Sequence, residues 1–83
     1  MEPEIKRKQN LHLTLLLLYL NSWQEKQFDP PVRRAWKGYD FDVLNELEEQ
    51  DYISQSKTAK SVYLTEEGVV KAKELLDLLK DAL

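Results

Sequence analysis

Seven leucines fall within the ten residues from Leu11 to Leu20, interrupted by His12 and Thr14, and that density limits what the chain can become. Leu11, Leu13 and Leu15 alternate as in a strand. Leu13, Leu16, Leu17 and Leu20 recur at helical spacing, however, with Leu11, Leu15 and Leu18 as a second seam, and a run of this length favours a helix. A helix apolar on nearly all sides must be surrounded, so it is expected to be the central post of a domain, a face shared between two copies, or both. A membrane span takes about 20 such residues, which this run does not reach, and no membrane association is expected. The start Met1-Glu2-Pro3-Glu4 lacks the order of a secretory signal, and a cytoplasmic location follows as the expectation.

A leucine post has to be covered by the rest of an 83-residue chain. At this size only about 60% of the unfolded surface is buried on folding, so each apolar face is required for the core and little remains for a deep cleft. One domain is expected at residues 10–83. Residues 1–9 read as a flexible basic arm or a frayed first turn, with Lys6, Arg7 and Lys8 in a row. Cysteine is absent, which leaves no disulfide or thiolate metal site to reinforce the fold. His12 is the sole histidine and reads as a partly exposed helix residue. No metal, no cofactor and no enzymatic activity are expected, since no paired histidines and no glycine-rich phosphate loop are present. The net charge of −3 argues against a protein that coats nucleic acid generally, while leaving room for a local basic patch.

Beyond Trp23 periodicity is lost, and Asp29-Pro30-Pro31 sets a turn. Proline in a first helical turn suits a short helix from Val32 to Lys37. That helix would gather Arg33, Arg34 and Lys37 beside Trp36, the one place where cations and an aromatic ring interleave. Gly38 reads as its close. Asp40 then caps the next helix, with Tyr39 and Leu44 at the spacing of a hydrophobic staple. Phe41, Val43, Leu44 and Leu47 form its expected core stripe, and Asp42, Asn45, Glu46 and Glu49 its outer face. Tyr52-Ile53 leads into a hairpin with Ser54–Lys60 as tip and Ser61-Val62-Tyr63-Leu64 as return strand, and Lys57 and Lys60 make the tip basic.

Thr65, followed by Glu66 and Glu67, starts a long last helix, since acids in a first turn oppose its dipole. Val69, Ala72, Leu76, Leu79 and Leu83 repeat at spacings of three and four, flanked by Leu75, Leu78 and Ala82. This face is wider than one small domain requires. A homodimer through this helix and the leucine-rich first helix is therefore expected, with Leu75, Leu78, Leu79 and Leu83 at the contact.

The resulting class is α+β, mostly α, in the order α-α-α-β-β-α: three helices, a two-stranded hairpin and a long C-terminal helix, which is the order of a winged helix. The segments from Val43 to Ile53 and from Lys60 to Gly68 resemble the end of the recognition helix, the wing and the following helix of MarR- and PadR-like bacterial regulators. In those families an L-x-x-L-E-x-x-G-hydrophobic segment leads into the wing, with Asp51 here at the glycine position, and a Y-x-L-T-x-E-G segment leads out. Arg34–Asp42 also resembles an uncharacterised family of small bacterial winged-helix-like proteins.

The resemblance implies a dimeric DNA-binding regulator. The charges imply that duplex would be met through Arg33, Arg34, Lys37, Lys57 and Lys60, because Asp40 to Ile53 holds six acids and no cation, and such a helix repels phosphate. The alternative is a protein-interaction module that uses Trp36 or the acidic residues Asp42, Glu46 and Glu49.

Overall fold

The computed structural model describes residues 2–29, 31–56 and 58–82. Its elements are α1 (Glu2–Leu20), β1 (Trp23–Glu25), β2 (Val32–Trp36), α2 (Phe41–Glu49), β3 (Ile53–Gln55), β4 (Ser61–Leu64) and α3 (Glu66–Leu79). The strands form one antiparallel sheet in the order β1-β2-β4-β3. The order α-β-β-α-β-β-α replaces the α-α-α-β-β-α order of a winged helix, and the difference lies wholly in residues 23–36.

Val32 to Lys37, expected as a short helix, is a strand up to Trp36, and its partner is the segment expected to be irregular. Alternation explains this. Ala35 is buried on one side of the sheet, while Val32, Arg34 and Trp36 stand on the other. Valine and tryptophan suit a pleated surface, and proline is as well tolerated just before a strand as in a first helical turn. Gly38 closes no helix and has no positive φ. Pro30, part of the expected turn, lies outside the described residues.

The helices cover one side of the sheet. Leu11, Leu15 and Leu18 of α1, Leu44 and Leu47 of α2 and Ala72 of α3 meet Ala35, Ile53, Val62 and Leu64 of the strands in a single core. Each fully buried leucine among them is worth about 1.5–3 kcal/mol. Phe41, expected in this core, is 68% exposed. It is the first residue of α2, ahead of the buried Leu44 and Leu47. Residues 2–9, expected as an arm or a frayed turn, form the first turns of α1, with Pro3 near its start. Arg7 ties this end to α2 through Nε to Glu46 Oε1 at 2.9 Å.

The junctions of α2 and α3 are closely specified. The Asp40 carboxylate accepts from the backbone N–H groups of Asp42 and Val43 at the start of α2. At its end, Asp51 N–H donates to Glu48 O, Tyr52 N–H donates to Leu47 O, and Asp51 takes a φ of 62°. Those paired bonds make a Schellman cap with aspartate in the left-handed position usually held by glycine. Thr65 caps α3 by accepting from Gly68 N–H at 2.9 Å, and its hydroxyl donates to Asp51 O. Its own N–H donates to Tyr52 O. The first turn of α3 is thereby held against the backbone that leaves α2.

Gly68 makes this approach possible. A Cβ at this position would lie 2.0 Å from the Tyr52 carbonyl oxygen, whereas one at Gly38 would meet nothing within 4 Å. Gly68→Ala is expected to destabilise the fold by about 3 kcal/mol, the upper range for forcing atoms into a packed site. Gly38→Ala should leave stability nearly unchanged. Urea unfolding of both variants checks this, and equal midpoints would contradict it.

Candidate functional site

With the helices on one side, the other side of the sheet is open. The register sets Trp23 opposite Arg34, Arg34 opposite Tyr63 and Tyr63 opposite Ser54, forming one row across all four strands. One pleat further along, Trp36 stands opposite Ser61. Paired residues share a face, so Trp23, Arg34, Trp36 and Tyr63 belong to a common outer surface.

Arg34 is the centre of that surface. Its Nη1 lies 3.0 Å from Glu25 Oε1, its Nε donates to Ser61 Oγ at 2.6 Å, and its guanidinium sits 5.0 Å from the centre of the Tyr63 ring. Phe28 meets Tyr63 edge-on, with centroids 6.5 Å apart. Trp23 and Trp36 stand 5.4 Å apart with their planes tilted by 50°. Trp36 nonetheless remains 64% exposed. On the helical side of β2, next to Trp36, is a hollow lined also by Leu18, Asn21, Ala35, Gly38 and Tyr39.

Lys37 and Lys60 lie at the end of β2 and β4, next in sequence to Trp36 and Ser61, where alternation starts both side chains from the helical side. Lys37 N–H donates to Lys60 O, continuing the β2–β4 pairing, and Lys37 Nζ donates to Ser56 O at 3.1 Å. Of the five cations expected to act together, Arg34 stands on the open side, with Lys37 and Lys60 at the sheet end next to Trp36. Arg33 does not: strand alternation turns it to the helical side, where it donates to Ser22 Oγ at 2.9 Å and lies over the Tyr19 ring. Lys57 lies outside the described residues. Trp23, Glu25, Phe28 and Tyr63 were not foreseen as site residues. The available signal is a proline-bearing turn between two short segments that each carry a tryptophan, which is compatible with a hairpin.

Charge is divided unevenly along the chain. From Ser22 to Lys37 there are four cations and two acids, and from Ile53 to Leu64 two cations and no acid. The hairpins thus carry +4 in a chain whose net charge is −3. The acids concentrate on α2 and its flanks, but they do not form one free patch. Glu46 is held by Arg7, and Glu48 accepts from both the backbone N–H and the side-chain amide of Gln55. Asp42 and Glu49 are exposed.

A second surface runs along α1 and α3. Leu13, Leu17, Leu20, Val70 and Leu78 are all about half exposed or more, Leu78 at 79%. A groove between the helices is lined by Ile5, Leu13, Leu75, Leu78 and Leu79. Leu83 lies outside the described residues. His12, half-buried at this groove, has its pKa held below the ordinary value of 6.5, first by burial and then by the cations of Lys71 and Lys8. Among the described residues no cluster suited to a metal ion is present, and no helix is long and apolar enough to cross a membrane.

Arg34 performs three tasks that depend on a planar guanidinium. Arg34→Lys keeps the charge but removes the hydrogen bond to Ser61 and the flat stacking on Tyr63. A loss of about 1–2 kcal/mol in unfolding free energy is expected by chemical denaturation.

The model of a family described as a domain of unknown function, DUF6429, matches residues 7–82. No curated protein and no solved structure matches the chain.

Proposed function

We propose that this chain, which belongs to the DUF6429 family, is a small nucleic-acid-binding domain whose contact surface is the open side of its sheet. The observation that carries this is the segregation of charge and aromaticity. Arg34 shares a surface with Trp23, Trp36 and Tyr63, and Lys37 and Lys60 stand at the end of the same strands next to Trp36, while the excess of acid sits on and around α2. Phosphate is met by cations, and each neutralised phosphate releases condensed counterions, so a local group of cations suffices in a chain of net negative charge. The α2 helix is unsuited to approach phosphate, with six acids and no cation from Asp40 to Ile53.

Binding is tested by fluorescence anisotropy of labelled random-sequence oligonucleotides, titrated with salt. Affinity is expected to fall steeply as salt rises. Lys37→Glu combined with Lys60→Glu should weaken binding strongly and flatten the logarithmic salt slope by about 0.7–0.9 for each phosphate that is no longer neutralised. Absence of retention at low salt overturns the proposal. In that event a protein ligand for the Trp36 surface becomes the better account.

The same proposal includes a second copy of the chain packed on the stripe formed by α1 and α3. Exposed leucines at half or more of their full area drive association, and pairing would give one assembly two positive faces. The natural chain is expected to sediment as two copies at about tens of micromolar, and Leu78→Glu as one. A single-chain mass for the natural protein overturns the pairing.

A further inference from the structure

We infer that the ligand of the open sheet side is single-stranded nucleic acid, with a base stacked on Trp36 and neighbouring phosphates held by Lys37 and Lys60. This rests on the nucleic-acid-binding proposal above and narrows its ligand.

A duplex offers phosphates outward and hides the flat faces of its bases within the stack. Against such a ligand the lysines would be used and the indoles wasted. A single strand presents both, and every base has a face on which an aromatic ring can stack. The sheet supplies aromatic faces in register and lysines at its end next to Trp36. Trp36 and Arg34 are alternate residues of β2, about 6.7 Å apart along the strand, with Tyr63 across from Arg34 and Lys60 one residue before the Ser61 that faces Trp36. Trp23 meets Trp36 at a tilt and so leaves its ring uncovered by any parallel stack.

A protein partner suits this surface less well. Its rings flank Arg34, whose part-buried ion pair with Glu25 reaches from β2 to the edge strand β1. A dry protein interface would have to strip water from that pair at considerable cost. A nucleic-acid strand keeps the region hydrated, and guanidinium planes also accept stacked bases.

The test uses the full chain and three labelled probes of about a dozen residues each: a single-stranded oligothymidine, an abasic strand with the same number of phosphates, and a random-sequence duplex. Anisotropy reports affinity, and tryptophan emission reports stacking. The oligothymidine is expected to bind about tenfold or more tighter than either other probe, at equal salt, and to quench emission. Trp36→Ala should remove this preference while keeping the abasic strand's affinity, and Trp36→Phe should retain most of it. Trp36 is largely exposed, so the variants are expected to fold, and circular dichroism confirms it. Equal binding of all three probes, or tighter binding of the duplex, overturns the single-strand inference and leaves nucleic-acid binding standing. Failure of all three to bind at low salt overturns both.

Discussion

The pairing of β2 with β4 is the interaction on which the remainder of the molecule depends. It joins an N-terminal unit, α1 with its following hairpin, to a C-terminal unit in which the second hairpin is flanked by α2 and α3. Neither two-stranded hairpin would be stable alone in water. Joined, they form a sheet wide enough to receive all three helices on one side, and the leucine seam of α1 acquires the surface it requires. The same register also brings Arg34 to Tyr63 and Trp36 to Ser61. Fold and candidate site therefore share one cause.

What was legible in the sequence was local. Asp40 and Thr65 announce helix starts because a capping side chain acts within three residues of itself. The helical seams of α1, α2 and α3 show because a buried stripe repeats along its own element. The hairpin of β3 and β4 was legible from its polar tip and its apolar return strand. The first hairpin was not. Its strands are three and five residues long, Arg33 sits on the side of the sheet where an apolar residue would be expected, and two prolines imitate a helix start. Arg33 can occupy that position because the Tyr19 ring and the Ser22 hydroxyl receive it. Such partners are distant in sequence and leave no periodic trace.

The site was half legible for the same reason. Residue types pointed to Trp36 and its cations, but a helix would have gathered Arg33, Arg34 and Lys37 around one axis, whereas a strand sends Arg33 and Arg34 to opposite sides. That Lys60 lies beside Lys37 depends on strand register, which no single segment encodes. Net charge misled in a similar way, since one total of −3 conceals two regions of opposite sign. Electrostatic fields act over about 8–10 Å at moderate salt, so a ligand meets the nearer region rather than the total.

The edges of the sheet carry a consequence of their own. β1 and β3 are each three residues long, and on β3 the outward N–H of Gln55 is already taken by the Glu48 carboxylate at 3.0 Å. An exposed edge normally invites another chain to add itself as one more strand, which is a common beginning of aggregation. Here so few backbone groups are left to pair that extension of the sheet gains almost nothing. A protein that displays tryptophan in the open is thus kept from polymerising by the brevity of its rims, and what approaches it must recognise side chains rather than backbone.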